Sequence, residues 1–98
     1  MGEPMSGLGS ATLAFGSTPT DFASVTVTGQ TGIASGAACE AWFMASTTSD
    51  HGPDEHMLLA GESIPVCGSV VAGTGFTISI QTTSKWTGSF TVQWVWSN

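Results

Sequence analysis

Three features of the sequence predict an all-β fold, a small antiparallel β-sandwich of jelly-roll type with seven or eight strands. Short runs rich in Val, Ile, Thr, Phe and Trp recur along the chain. Clusters of Gly, Pro, Asp and Ser separate them, as turns separate strands. Several runs alternate apolar and polar residues, which is the period of a half-buried strand. Without a convincing helical pattern to supply another layer, two packed sheets are how such strands bury their apolar faces.

Residues 1–8, "MGEPMSGL", are mostly Gly, Pro, Met and Ser with little periodicity. They are expected to form a flexible N-terminal arm before a single domain over residues 9–98. The opening Met1–Ser6 formally fits the myristoylation pattern, but no polybasic patch supplies a second anchor. "ATLAFG" is the first predicted strand. "FASVTVTG" follows, with Val25 and Val27 on one face and Ser24, Thr26 and Thr28 on the other. "AACEAWFMAST" reads as a longer strand covered on both faces, Cys39, Ala41, Phe43 and Ala45 against Glu40, Trp42 and Met44. "HMLLA" reads as a short strand, and "IPVCGSVVAG" as one interrupted strand or two. "GFTISIQ" sets Phe76, Ile78 and Ile80 on one face. "GSFTVQWVWSN" does the same with Phe90, Val92, Trp94 and Trp96. These last two strands are expected to fill the layer between sheets about 10 Å apart. At least one Trp belongs at the rim or in a subunit contact, where its N–H finds a partner.

The chain has 98 residues and buries a correspondingly thin core. Only 8 % of its residues are charged, and 41 % are hydrophobic. Polarity comes instead from 13 Ser and 14 Thr. Charge that would keep a small domain apart from its neighbours is scarce, which points to a surface partly covered by other subunits. The net charge is −6, and Lys85 is the single cation. Nucleic-acid binding needs Lys or Arg to displace counterions, and binding to an anionic membrane needs the same, so both are excluded as partners. Cys39 and Cys67 each stand alone, unlike a zinc ribbon. Two buried thiols in a reducing cytoplasm are the expected state.

Chemistry-bearing residues concentrate in "SDHGPDEHMLL", residues 49–59, which hold Asp50, His51, Asp54, Glu55 and His56. A metal site needs three or four convergent ligands. His51 and His56 are five apart, so on a strand they face opposite ways, and Gly52-Pro53 turns the chain between them. The distant acids are Glu3, Asp21, Glu40 and Glu62, and no distant histidine exists. A site shared around a symmetry axis, one His per subunit, stays open. Asp54 and Glu55 are neighbours, which face apart on a strand and make a poor acid/base pair. No Gly-x-Ser-x-Gly elbow is present, and "AGTGFT" leads into a strand rather than a helix, so it is a turn and not a phosphate cradle. The expectation is a protein that is no enzyme, with no catalytic residue, cofactor or metal. The stretch itself reads as an exposed charged loop, with Asp54 closing a turn or Pro53 opening a single helical turn. Exposed loops are natural contact points, so Asp50, His51, Asp54, Glu55 and His56 are candidate partner-interface residues. Trp86, beside Lys85 in the turn-like "TTSKWTGS", is a sixth.

The segments "VTVTGQTGI", "EAWFMASTTSDHGPDEH", "VAGTGFTI" and "TGSFTVQWVW" together resemble a group of small proteins from tailed-phage and prophage structural gene clusters. The resemblance spans roughly residues 24–96, strongest at "EAW", the Asp-His and Glu-His pairs, and the run from "VAGTGFTI" to "WVW". It implies a phage virion structural protein, assembled in the host cytoplasm and located in the virion. Small phage jelly rolls of this size serve as capsid decoration or cement proteins. The implied partners are identical subunits, as a trimer, and the major capsid protein or another virion protein. A tail, neck or fibre protein is the alternative within the virion. A carbohydrate-binding module, stacking sugars on Trp42, Trp86 or Trp94, is the alternative outside it.

Overall fold

A computed structural model describes residues 5–98. Its strands are β1 (Ser6–Ala14), β2 (Thr20–Val27), β3 (Ala38–Trp42), β4 (Val66–Val71), β5 (Gly75–Trp86) and β6 (Ser89–Ser97), with one helix, α1 (Pro53–Glu62), between β3 and β4. They form two three-stranded antiparallel sheets, in the orders β1-β6-β3 and β2-β5-β4. The all-β expectation holds at this level. Six strands are present among the described residues where seven or eight were expected.

The missing strand is "HMLLA", which lies inside α1. Pro53 at the start of the helix has a pre-set φ and forfeits only an N–H that would have no helical partner. Asp54 and Glu55 occupy the first turn, at the positive end of the helix dipole. Met57, Leu58, Leu59 and Ala60 are unbranched at Cβ and favour helix. His56 and Leu59, three apart, are its buried residues. That is a one-sided helical contact, which a strand reading of alternate residues misses.

The predicted faces of the two central strands hold. Phe90 and Val92 are fully buried, with Trp94 and Trp96 almost so, and Phe76, Ile78 and Ile80 meet them from β5. Phe76 and Trp94 touch edge to face across the layer, centroids 5.5 Å apart. Trp96 Nε1 donates to Gln30 Oε1 at 2.9 Å, while Trp94 Nε1 is buried without a partner. Trp42 and Trp86 are half-buried, as a rim Trp was expected to be.

Elsewhere the boundaries differ. β3 stops at Trp42, and Glu40 and Met44 are exposed, so the covering expected on both faces is absent there. "IPVCGSVVAG" yields one strand with a register shift between Gly68 and Val71. β5 runs on through Lys85 and Trp86, which narrows the expected turn to Thr87-Gly88.

Of the arm expected over residues 1–8, the first four lie outside the described residues. Ser6, Gly7 and Leu8 open β1, opposite Ser97, Trp96 and Val95. Glycine weakens a strand on its own, which is why residues 6–9 do not read as one. Here Gly7 faces Trp96 and Gly9 faces Trp94, and each indole lies over its glycine. A Cβ at Gly9 would fall 2.6 Å from Trp94 Cζ2. The rings supply the packing that the glycines lack.

Cys39 on β3 and Cys67 on β4 are free thiols packed against the core. Burial, reinforced by the neighbouring Cys39, pushes the Cys67 thiol up to about 12. Cys67 is therefore a protonated, inert thiol at neutral pH.

Candidate functional site

The two partners of β6 differ in length. β1 follows β6 from Ser97 down to Ser89, whereas β3 covers only Gln93–Ser97. Below Gln93, side chains from residues 48–56 take over the bonding that a longer β3 would provide. Ser89 N–H donates to Asp50 Oδ2 at 2.8 Å. Thr48 Oγ1 donates to the Ser89 carbonyl at 2.7 Å. Thr91 N–H donates to His56 Nε2 at 2.9 Å. In the adjoining turn, His51 Nε2 donates to the Thr87 carbonyl at 2.6 Å. Backbone groups left unpaired in such a place would each be costly.

Local chemistry shapes the segment for this task. Thr48 Oγ1 accepts from the backbone N–H groups of Asp50 and His51, at 3.2 and 3.1 Å, a hydroxyl-closed turn. Gly52-Pro53 then opens α1, and the Glu55 carboxylate reaches back to the Gly52 N–H at 2.9 Å, half of a capping box. That N–H, with help from His51, holds the Glu55 carboxyl below the usual carboxylate range.

His56 is fully buried. A backbone N–H can only donate, so Thr91 requires Nε2 to accept. The proton of the neutral ring therefore sits on Nδ1 and is donated to the Gly52 carbonyl at 2.9 Å. Both ring nitrogens are used, and no lone pair is left for a metal. His51 is different. Its Nδ1 lies 3.2 Å from Glu55 Oε1 but is not aligned for a hydrogen bond, so their contact is one of charge when the ring is protonated. Its ring stacks on Phe90, centroids 4.1 Å apart and 11° from parallel. Around the same Phe90 stand His56, Trp86 and Phe15, each edge-on, at 5.0, 5.5 and 5.8 Å.

The candidate residues thus divide. His51, Glu55, His56 and Trp86 gather around Phe90 and the start of α1. Asp50 sits at their margin on Ser89, and Asp54 is exposed on the first helical turn. Buried His56 is corrected from a loop residue in contact with partners to an internal tether between α1 and β6. Among the described residues, no group of three or more His, Cys, Asp or Glu is placed to hold a metal ion. An open depression of roughly 400 Å³ lies between Gly16, Asp50, Gly88 and Ser89. Its carboxylate is already engaged by the Ser89 N–H.

Sequence reasoning missed Thr48 and Glu62, and it placed Phe90 in the core without its role at the centre of the ring cluster. The Thr48-Ser49-Asp50 turn has a readable local signature. The other two act over long range. Glu62, at the end of α1, accepts from the Thr83 and Ser84 N–H groups at 3.0 and 2.7 Å and from both their hydroxyls. Trp86 Nε1 approaches it at 3.5 Å. Led by those from Ser84, these bonds hold the Glu62 carboxyl down at about 2. A depressed folded-state pKa stabilises the fold above the ordinary value, and that stabilisation is lost as pH falls toward the folded one. Melting followed by circular dichroism should therefore show a loss of stability between about 4.5 and about 2. Glu62→Gln should lower the melting temperature at neutral pH and remove part of that acid dependence. An unchanged acid profile in the variant would assign the loss to other carboxylates.

Comparison with protein-family models, with curated proteins and with solved structures returned no match for this chain.

Proposed function

We propose that this chain is a phage virion structural protein, a capsid decoration or cement protein that oligomerises on the shell and stabilises it. The observation that carries this is how the polar cluster is used. Asp50, His51, Glu55, His56 and Glu62 are bound to backbone or to one another within the chain. Few reactive groups are left to act on a substrate, and the exterior is mostly hydroxyl and apolar. Met57, Leu58, Ile64 and Val66 are exposed on and just after α1, the kind of surface that protein contacts cover. With 8 % charged residues, it suits close packing against identical copies and a shell protein. A two-sheet sandwich of six strands is a reduced form of the jelly roll, and that kinship, implied by the resemblance to phage virion proteins, is part of the proposal.

The carbohydrate reading has less support. Trp94 lies in the core, and Trp86 is held edge-on to Phe90 with its N–H toward Glu62. Buried Trp94 offers no ring face on which a sugar could stack, and Trp42 and Trp86 are half-buried.

The test is co-sedimentation with empty phage shells. The expected result is binding that saturates at a stoichiometry set by the lattice and raises the temperature at which the shell disrupts. Binding to isolated tails, with none to shells, would move the protein to the tail or neck. Binding to neither would overturn the virion assignment.

A further inference from the structure

Edge strands decide whether a small sandwich stays alone, because each leaves a row of N–H and C=O groups unpaired. The two sheets have four edges, β1, β3, β2 and β4. Three of them carry devices that spoil docking by a further strand. β2 has a register shift between Thr20 and Phe22, with charged Asp21 inside it. β4 is irregular between Gly68 and Val71, where Ser69 adopts φ 53°. β3 is five residues long with exposed Glu40 at its centre.

β1 has none of these devices. Its nine residues pair with β6 in unbroken register from Ser6 to Ala14, and they include no charge and no proline. The Trp94 and Trp96 rings pack over Gly9 and Gly7, so the glycines do not loosen the edge. Ser6, Leu8, Ser10, Thr12 and Ala14 form its exposed face, Leu8 at 74 % exposure.

We infer that β1 is a self-association edge, on which β1 of a second copy pairs antiparallel across a two-fold axis at Ser10. The pairing joins two three-stranded sheets into one of six strands. Two observations select a second copy as the occupant. Pairing centred on Ser10 sets Leu8 opposite Thr12 and Ser6 opposite Ala14, so exposed faces meet exposed faces with small or apolar partners throughout. Charge selects it too. Copies carrying −6 repel on most approaches, yet no charged residue occurs from Met5 to Thr20 or along β6 behind the edge. The contact is isologous, so alone it makes a dimer, and it links neighbouring oligomers where another contact builds them. It is independent of shell binding: a chain that pairs through β1 and ignores shells would overturn the proposed function and leave this inference standing.

The test is sedimentation velocity of the full chain over a range of concentrations, with amide exchange of residues 6–14 measured alongside. The expected result is a monomer–dimer equilibrium in which β1 amides become more protected as the dimer forms. Ser10→Lys places two ammonium groups face to face on the axis, at a side chain exposed in the single copy. It should weaken pairing roughly tenfold or more with the melting temperature of the dilute protein unchanged. Ser10→Cys should give a covalent dimer on mild oxidation, which the unsubstituted chain with its own two thiols does not form. A wild-type chain that stays monomeric throughout would overturn the inference. So would association that Ser10→Lys leaves intact, or Ser10→Cys chains that do not cross-link.

Discussion

His56→Ala is expected to cost the fold about 3–5 kcal/mol, read as a shift in the midpoint of urea unfolding. The loss has two parts. Truncating a fully buried ring leaves a cavity whose walls cannot fully collapse. It also leaves the Thr91 N–H without its partner and removes one of the two donors to the Gly52 carbonyl, which keeps the His56 backbone N–H. His56→Leu separates the parts, since it restores most of the volume and none of the hydrogen bonds. It should lose about 1–3 kcal/mol, the cost of stranding a buried donor, the Thr91 N–H. A leucine variant as stable as the native chain would show that the ring fills space and does not tether α1 to β6. Against a typical stability of about 5–15 kcal/mol, the alanine variant stands near the limit of folding.

Phe90→Ala should be equally damaging, at about 3–5 kcal/mol by the same measurement. Phe90 is fully buried, and four aromatic rings are arranged around it. The stacked His51 loses its platform, and Trp86 loses an edge contact, so the fluorescence of the variant should change as well. Because Phe90 and His56 touch, the double variant should fall short of the sum of the two losses. Strict additivity would mean that the two rings are supported separately and that the cluster is not one unit.

Sequence and structure agree best where the information is local. Val25 and Val27, Phe76, Ile78 and Ile80, and Phe90 through Trp96 alternate with polar neighbours, and a strand has no choice but to send alternate side chains to opposite faces. Their burial was legible for that reason. The strand at Gly7 and Gly9 was not, since its packing is supplied by indoles more than eighty residues along the chain. α1 was legible only as a minor alternative. Pro53, Asp54 and Glu55 spell a helix start, but a five-residue apolar run such as "HMLLA" fits a strand equally well until its neighbours are known.

The charged stretch shows the same division. Its turn and its acidic helix start follow from Thr48, Gly52, Pro53 and Glu55, because Thr48 and Glu55 bond to backbone within a few positions and Pro53 pre-sets φ for the helix. What the segment is for depends on partners 41, 36, 39 and 35 positions away, at Ser89, Thr87, Ser89 and Thr91. By itself, then, the sequence determined the sheets' inward faces, the scarcity of charge and the existence of a polar connector. Only the tertiary structure decided that β3 ends early and that Asp50, Thr48 and His56 complete β6 in its place. The physical reason is that a buried backbone donor must be satisfied by whatever the fold brings beside it, and no local pattern in the chain records which residue that will be.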